Sequence, residues 1–374
     1  MIIRLRNRTF DFSVDAPPSK SVFHRELIVR FLNGYEDYLA VSPEDSKDIA
    51  ATKDCLRALR DGMSVLDCNE SGSTLRFMIP VAAAYLVAKG INTDITFKTA
   101  GRLYDRPLDD LENCLKEHGV TLVRDDETRT ISLEGRLTEG VFTIDGSVSS
   151  QYVSGIMMAL IVLPDSSINV VGTPSSVHYI ELTQAVIDKY KNAHHDDFRV
   201  EGDWSGGAFL LCLKELIDGD ITVGNLDRDS VQGDKTIEDY LEACGVDELT
   251  WDCKDIPDIV PYMAVVAAFR NGKTVFTNIG RLRVKESDRV AAIREQLETA
   301  GIRTEETDET LTVFGSDKTF DNDMITLKSY NDHRMVMSAM LIAAALRADL
   351  EIDTDEPLDK SFPGLRYIIK EEFS

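Results

Sequence analysis

The stretch Ser71-Gly72-Ser73-Thr74-Leu75-Arg76-Phe77-Met78-Ile79-Pro80-Val81-Ala82-Ala83-Ala84 opens with small polar residues and then turns apolar on nearly every side. A helix of this kind belongs inside a core, with free backbone N–H groups at its mouth. Five other segments start in the same way, at Ser19-Lys20-Ser21, Ser149-Ser150-Gln151, Ser205-Gly206-Gly207, Ile256-Pro257-Asp258 and Asn331-Asp332-His333. Amphipathic helices alternate with them, starting near Asp48, Pro107, Ser176, Thr236, Ser287 and Ser361.

The spacing of these pairs repeats. The buried kind recurs after 186, 185 and 182 residues, the amphipathic kind after 188, 180 and 185. The unequal gaps match as well, 52 then 78 in one half and 51 then 75 in the other. A hairpin-like stretch, 120–133, has its counterpart at 302–314. Period-two segments at 93–99, 221–223, 274–277 and 311–314 supply strands. We read two halves of about 185 residues, each with three strand–helix–strand–helix–strand units, which is an α/β architecture. The half-boundary falls near Glu201-Gly202-Asp203, and the strand-like piece 1–14 is expected to pair with the second half. The chain then crosses between halves twice, near 16–20 and 201–204, which makes a hinge; a cleft between the halves is the expected ligand site.

Composition bounds the function. The chain has 374 residues, a formal charge of −24, 43% hydrophobic and 28% charged residues. That is ordinary for a globular protein and too long for a single core. The acidity argues against nucleic acid and anionic membrane surfaces as partners. The uncharged runs 152–163 and 335–346 are twelve residues each, whereas a membrane span needs about 20. The N-terminus has no signal-peptide pattern, and six cysteines without a CxxC pair suit reduced thiols of a cytoplasmic protein.

Candidate chemistry gathers at helix mouths, where N–H groups and the macrodipole attract anions. Ser21 and Arg25 share one helical face beside Lys20. Arg76 is a lone charge in an otherwise apolar helix and needs a partner there. Pro107 suits the first position of its helix and holds Arg106 extended outside it. The densest segment is Arg281-Leu282-Arg283-Val284-Lys285-Glu286-Ser287-Asp288-Arg289, leading into a helix with Ser287 as its expected N-cap. His333, Arg334, Asp258 and the pair Lys360-Ser361 occupy similar positions. No phosphate loop, dinucleotide fingerprint, metal-ligand spacing or nucleophile triad is present. His194-His195-Asp196-Asp197 reads as a solvated loop.

Taken in order, Pro18-Ser19-Lys20-Ser21-x-x-x-Arg25, Glu70-Ser71-Gly72-Ser73-Thr74-x-Arg76, Ser149-Ser150-Gln151, Arg283-Val284-Lys285-Glu286-Ser287-Asp288-Arg289 and Asp332-His333-Arg334-Met335 resemble the 5-enolpyruvylshikimate-3-phosphate synthases. The match spans essentially the whole chain. The resemblance implies the enolpyruvyl transferase fold, an inside-out α/β barrel of two similar domains, each of three βαβαββ units. It implies a discontinuous first domain, 1–18 plus 203–374, on the phosphoenolpyruvate and acid/base side. The second domain, 19–202, would be the shikimate 3-phosphate side.

The family moves the enolpyruvyl group of phosphoenolpyruvate onto the 5-hydroxyl of shikimate 3-phosphate and releases phosphate. The resemblance assigns Lys20, Ser21, Arg25, Ser149, Ser150, Gln151, Ser176, Asp258 and Lys285 to shikimate 3-phosphate. It assigns Lys20, Gly72, Arg106, Gln151, Arg289, Arg334 and Lys360 to phosphoenolpyruvate. Asp258, Glu286, Lys20 and His333 would be catalytic. The hydroxyl must lose a proton as it attacks C2, while C3 must gain one, so a base and an acid are both needed. No metal or organic cofactor is expected, and the family-based expectation is a monomer. The resemblance at Gly72 also implies sensitivity to glyphosate, which mimics phosphoenolpyruvate.

Two other readings stand beside this one. An enolpyruvyl transferase acting on UDP-N-acetylglucosamine would carry Lys-Asn at the Lys20-Ser21 position and a reactive loop cysteine. A non-catalytic anion-binding homologue would have no use for Asp258, Glu286, Lys20 and Arg106 together. The chain departs from the family pattern at Glu70-Ser71-Gly72-Ser73, where many members have Asn-Ala-Gly-Thr, at Arg281, and at Asp203-Trp204-Ser205-Gly206-Gly207. It is also short, so trimmed loops are expected.

Overall fold

The computed structural model describes residues 1–6, 10–174, 176–192, 200–217, 219–244, 246–316 and 322–372. The cluster at 194–197 lies outside them. The chain divides into two units, one of Met1–Ser19 with Glu201–Ser374 and one of Lys20–Val200. It opens with β1 (Ile2–Ile3) and β2 (Phe10–Asp15). The Lys20–Val200 unit then follows as α1 (Lys20–Leu32), α2 (Lys47–Arg60), β3 (Val65–Asp67), α3 (Gly72–Lys89), β4 (Ile95–Lys98), α4 (Asp109–Glu117), β5 (Val120–Asp125), β6 (Thr130–Gly135), β7 (Val141–Asp145), α5 (Ser150–Ala159), β8 (Ser167–Val171) and α6 (Val177–Asn192). The remainder is α7 (Trp204–Leu216), β9 (Gly219–Gly224), α8 (Ile237–Ala243), β10 (Glu248–Asp252), α9 (Val260–Ala268), β11 (Gly272–Thr277), α10 (Arg289–Thr299), β12 (Arg303–Glu306), β13 (Thr310–Gly315), β14 (Met324–Leu327), α11 (His333–Ala345), β15 (Asp349–Ile352) and α12 (Pro363–Glu372).

The middle of each unit has the same topology. In one, β3 lies parallel to β4, and β6 pairs antiparallel with both β4 and β5, giving the order β3-β4-β6-β5. In the other, the order β10-β11-β13-β12 repeats those directions. Both are complete βαβαββ units. Alternation explains which face turns inward. Phe97 opposes Ile131 and Ile95 opposes Leu133, all buried; Phe276 opposes Leu311 in the equivalent place. Burying a side chain of this size contributes about 1.5–3 kcal/mol.

Among the described residues the outer units carry fewer strands than the middle ones. Residues 33–46 join α1 to α2 without a strand. Parallel pairs β7–β8 and β14–β15 each enclose one buried helix, α5 or α11. The N-terminal piece pairs with elements beyond residue 201: β1 lies antiparallel to β15, and β2 parallel to β9. Each unit has its own apolar core. In the Lys20–Val200 core α5 crosses α3 closely, and a Cβ on Gly155 would lie 2.7 Å from the Arg76 carbonyl oxygen.

Four helix starts differ from expectation. Asp288, not Ser287, caps α10, accepting from the Ala291 N–H at 3.1 Å, because Ser287 donates to Asp332 instead. Asp203 caps α7 by accepting from the Gly206 N–H at 3.0 Å, so that helix starts at Trp204. Helix α9 starts only at Val260, with Pro261 in its first turn, where a missing N–H costs little. Pro107 lies outside α4, whose first turn takes Asp109 and Asp110 in keeping with the helix dipole.

Candidate active site

In the unit that contains α10 and α11, the Arg289 side chain is 1% exposed and is the centre of an ionic cluster. Its Nη1 donates to Asp258 Oδ1 at 2.7 Å and its Nη2 to Glu286 Oε2 at 2.8 Å. Its Nε donates to Asp332 Oδ2 at 2.8 Å. Asp332 caps α11 through the Arg334 N–H at 2.9 Å and also accepts from Ser287. A buried guanidinium is tolerable only when its donors are used, and here three carboxylates use them. Burial lowers Arg289's pKa, but Asp332, Glu286 and Asp258 outweigh that and hold it well above its usual value.

Around this centre, Lys285 Nζ lies 3.3 Å from Asp258 Oδ1 and Lys360 Nζ 3.7 Å from Glu286 Oε1. His333 is buried, with Nδ1 3.6 Å from Asp332 Oδ1. Arg334 Nη1 donates to the Ser205 carbonyl at 3.1 Å and to the Tyr262 hydroxyl at 2.9 Å. Burial pulls the Asp258 carboxyl up, but Lys285, Arg289 and Arg334 together hold it well below the carboxylate range. Burial lowers Lys285 more than Asp258 restores it. Asp258, Lys285, Glu286, Arg289, His333, Arg334 and Lys360 are thus brought into one neighbourhood. The result is an ionised carboxylate able to accept a proton, a second carboxylate on the same guanidinium, and a set of fixed cations.

In the Lys20–Val200 unit, Lys20 Nζ donates to Asp48 Oδ2 at 3.0 Å. One turn on, His24 Nδ1 meets Thr52 Oγ1 at 2.8 Å, Thr52 meets Thr74 at 2.7 Å, and Thr74 donates to Ser71 Oγ at 2.7 Å. This buried chain ties α1 to Ser71, the cap of α3, directly before Gly72. Burial pushes His24 down to about 3, so its ring is neutral. The Arg106 guanidinium sits against Gly72, where a Cβ would lie 2.5 Å from Nη1. Arg76 donates to Gln151 Oε1 at 2.7 Å, and Gln151 Nε2 to Ser73 Oγ at 2.9 Å. Ser149 caps α5, Ser150 is buried beside it, and Ser176, at φ +53°, directly precedes α6.

Arg25 is more committed than its spacing suggested. Its Nη1 donates to the carbonyl of Ser21 at 2.7 Å, as the shared face requires. Its Nε donates to Thr183 Oγ1 at 2.6 Å, and Nη2 to Ser154 Oγ and the Tyr179 carbonyl, both at 3.1 Å. Four of its five N–H donors are therefore used within the protein. Arg283 departs from the cluster of Lys285 and Arg289, donating to Glu306 and to the Thr307 carbonyl at the β12–β13 hairpin.

Three site residues carried no sequence assignment. Asp332 anchors Arg289, Tyr262 receives Arg334, and buried Asp234 accepts from Ser205 Oγ. Asp332 had a readable signal, an acidic residue directly before an apolar helix. Burial, reinforced by Asp258, raises Asp234 to about 7.

Comparison with known proteins gives this arrangement its relatives. The family model described as EPSP synthase (3-phosphoshikimate 1-carboxyvinyltransferase) matches residues 61–252 and 246–368. The 3-phosphoshikimate 1-carboxyvinyltransferase of Clostridium acetobutylicum is 31% identical, covering 94% of this chain and 92% of its own. That of Clostridium beijerinckii is 30% identical with the same coverage. Among solved structures, EPSP synthase from Acinetobacter baumannii aligns over 100% of this chain and 98% of its own, with a TM-score of 0.72 at 19% identity. The enolpyruvyl transferase NikO from Streptomyces tendae aligns over 100% and 98%, with a TM-score of 0.67 at 15% identity. The fold is the enolpyruvyl transferase fold, and the chain belongs to the EPSP synthase (3-phosphoshikimate 1-carboxyvinyltransferase) family.

Proposed function

We propose that this chain transfers the enolpyruvyl group of phosphoenolpyruvate to the 5-hydroxyl of shikimate 3-phosphate, releasing phosphate through a tetrahedral addition–elimination intermediate. The observation that carries the reading is the pairing of Asp258 and Glu286 on the single buried guanidinium of Arg289.

Asp258, held ionised by its cations, takes the proton of the attacking hydroxyl. Glu286, with Lys20 and His333, serves proton transfer at C3. The carboxylate and phosphate of phosphoenolpyruvate are met by Lys20, Gly72, Arg106, Gln151, Arg289, Arg334 and Lys360. Shikimate 3-phosphate is met by Lys20, Ser21, Arg25, Ser149, Ser150, Gln151, Ser176, Asp258 and Lys285. Cations fixed before reaction stabilise the charge of the intermediate without reorganising. Among the described residues four of the five Arg25 donors are engaged, which keeps the side chain in place for shikimate 3-phosphate.

The UDP-sugar alternative calls for a reactive loop cysteine, and all six cysteines are buried. A non-catalytic homologue is disfavoured by the presence of Asp258, Glu286, Lys20 and Arg106 together. No described helix is long and apolar enough to cross a membrane. We read the enzyme as cytoplasmic, monomeric and without a cofactor. The test is phosphate release from phosphoenolpyruvate with each acceptor. Release with shikimate 3-phosphate and none with UDP-N-acetylglucosamine is expected; the reverse, or no release at all, rejects the proposal.

A further inference from the structure

The loop 99–107 carries Arg106, and it is gripped from one side by the tip of the β5–β6 hairpin. Tyr104 is buried at the centre of that grip. Two hairpin guanidiniums lie over its ring, Arg129 at 5.0 Å and Arg124 at 5.5 Å from the centroid. The Tyr104 hydroxyl donates to Asp126 Oδ1 at 2.6 Å, and its carbonyl accepts from Arg124 Nη1 at 2.6 Å. Arg129 Nη2 also donates to the Gly101 carbonyl at 3.0 Å and to Asp105 Oδ2 at 2.8 Å. Thr99 Oγ1 donates to the Arg129 carbonyl at 2.7 Å.

Directly after Arg106, the Pro107 carbonyl accepts from the Tyr152 hydroxyl at 2.6 Å and from Arg76 Nη2 at 3.4 Å. Arg106 is therefore suspended between two fixed points. Its own N–H donates to the Leu103 carbonyl at 3.2 Å. The clearance between its guanidinium and Gly72 is too small for a methyl group, so a small displacement of the loop changes what an anion at the mouth of α3 would meet.

We propose that Tyr104 is a positioning residue. Held by Arg124, Asp126 and Arg129, it sets the place of the Arg106 guanidinium beside Gly72 and thereby the affinity for phosphoenolpyruvate. This rests on the reading of the chain as a phosphoenolpyruvate-using transferase. A cation fixed in advance stabilises charge without reorganising, and one displaced by about 1 Å loses much of that benefit.

The experiment compares Tyr104→Leu, which removes ring and hydroxyl, with Tyr104→Phe, which keeps the ring. Tyr104→Leu is expected to raise KM for phosphoenolpyruvate about tenfold and leave KM for shikimate 3-phosphate within about twofold. Tyr104→Phe retains the ring contacts and stays within about threefold of the parent. In an Arg106→Ala background, Tyr104→Leu adds nothing further. Hydrogen exchange of peptides covering 99–107 is faster in Tyr104→Leu, with α9 unchanged. Equal rises in both KM values, full additivity with Arg106→Ala, or unchanged exchange in 99–107 overturns the proposal. If the parent protein consumes no phosphoenolpyruvate, the transferase reading fails, and the exchange comparison alone still decides whether Tyr104 holds the loop.

Discussion

Arg289 Nη1 donates to Asp258 Oδ1 at 2.7 Å, from a side chain that is 1% exposed. The same guanidinium holds Glu286 and Asp332, so removing it takes the shared cation from three carboxylates and leaves Lys285 on Asp258 and Lys360 beside Glu286. Arg289→Gln is expected to lower stability by about 3–5 kcal/mol in urea unfolding. A loss under about 1 kcal/mol would mean that the ion pairs contribute nothing net. Asp258 also gives the sign of an acid limb. Its folded pKa lies below the unfolded value, so its contribution is fully present above about pH 4 and is lost as pH falls through the depressed value.

Asp234 has the opposite sign. Folded, it keeps its proton up to about 7 because it is buried and faces Asp258; unfolded, it loses the proton near pH 4. The folded state therefore binds more protons between those values, and stability from this group falls as pH rises across that window. Asp234→Asn removes the dependence. Its melting temperature, relative to the parent protein, should climb from pH 5 to pH 8. A constant difference across that range contradicts the assignment.

Gly72 fixes how closely Arg106 can sit. An added methyl group would lie 2.5 Å from Arg106 Nη1, and the flexible guanidinium has to move away. Gly72→Ala should raise KM for phosphoenolpyruvate about tenfold or more. The KM for shikimate 3-phosphate should stay within about twofold, and tolerance of glyphosate should rise in parallel. A variant with both KM values unchanged would show that Arg106 does not meet phosphoenolpyruvate.

Asp258→Asn and Glu286→Gln keep shape and remove proton exchange. Each should reduce kcat by about 10²–10⁴. A loss below about tenfold in both removes the proposed proton-transfer roles.

The six pairs of helices were legible because core helices need apolar residues on every face, and few other sequences look like that. The exact starts were less so. Ser287 and Asp288 are both good caps, and the choice was made by Asp332, 45 residues on, which takes the Ser287 hydroxyl. The Ser21–Arg25 face was legible from helical spacing, but the commitments of Arg25 to Ser154, Tyr179 and Thr183 arise from packing against α5 and α6. Lys285 and Arg283 are two residues apart in one basic run. One faces Asp258 and the other Glu306, and nothing in the run itself distinguishes them. Asp234 and Tyr262 were not legible because burial, not residue type, gives them their roles.

The most direct test of the account is to run the reaction in heavy water and examine the enolpyruvyl methylene of the product by mass spectrometry. Addition across the double bond makes C3 a methyl group, and elimination then removes one of its hydrogens. The account requires deuterium in that methylene with the parent enzyme, and neither deuterium incorporation nor phosphate release above about a hundredth of the parent rate with Glu286→Gln. A product formed at full rate with an undeuterated methylene would contradict it.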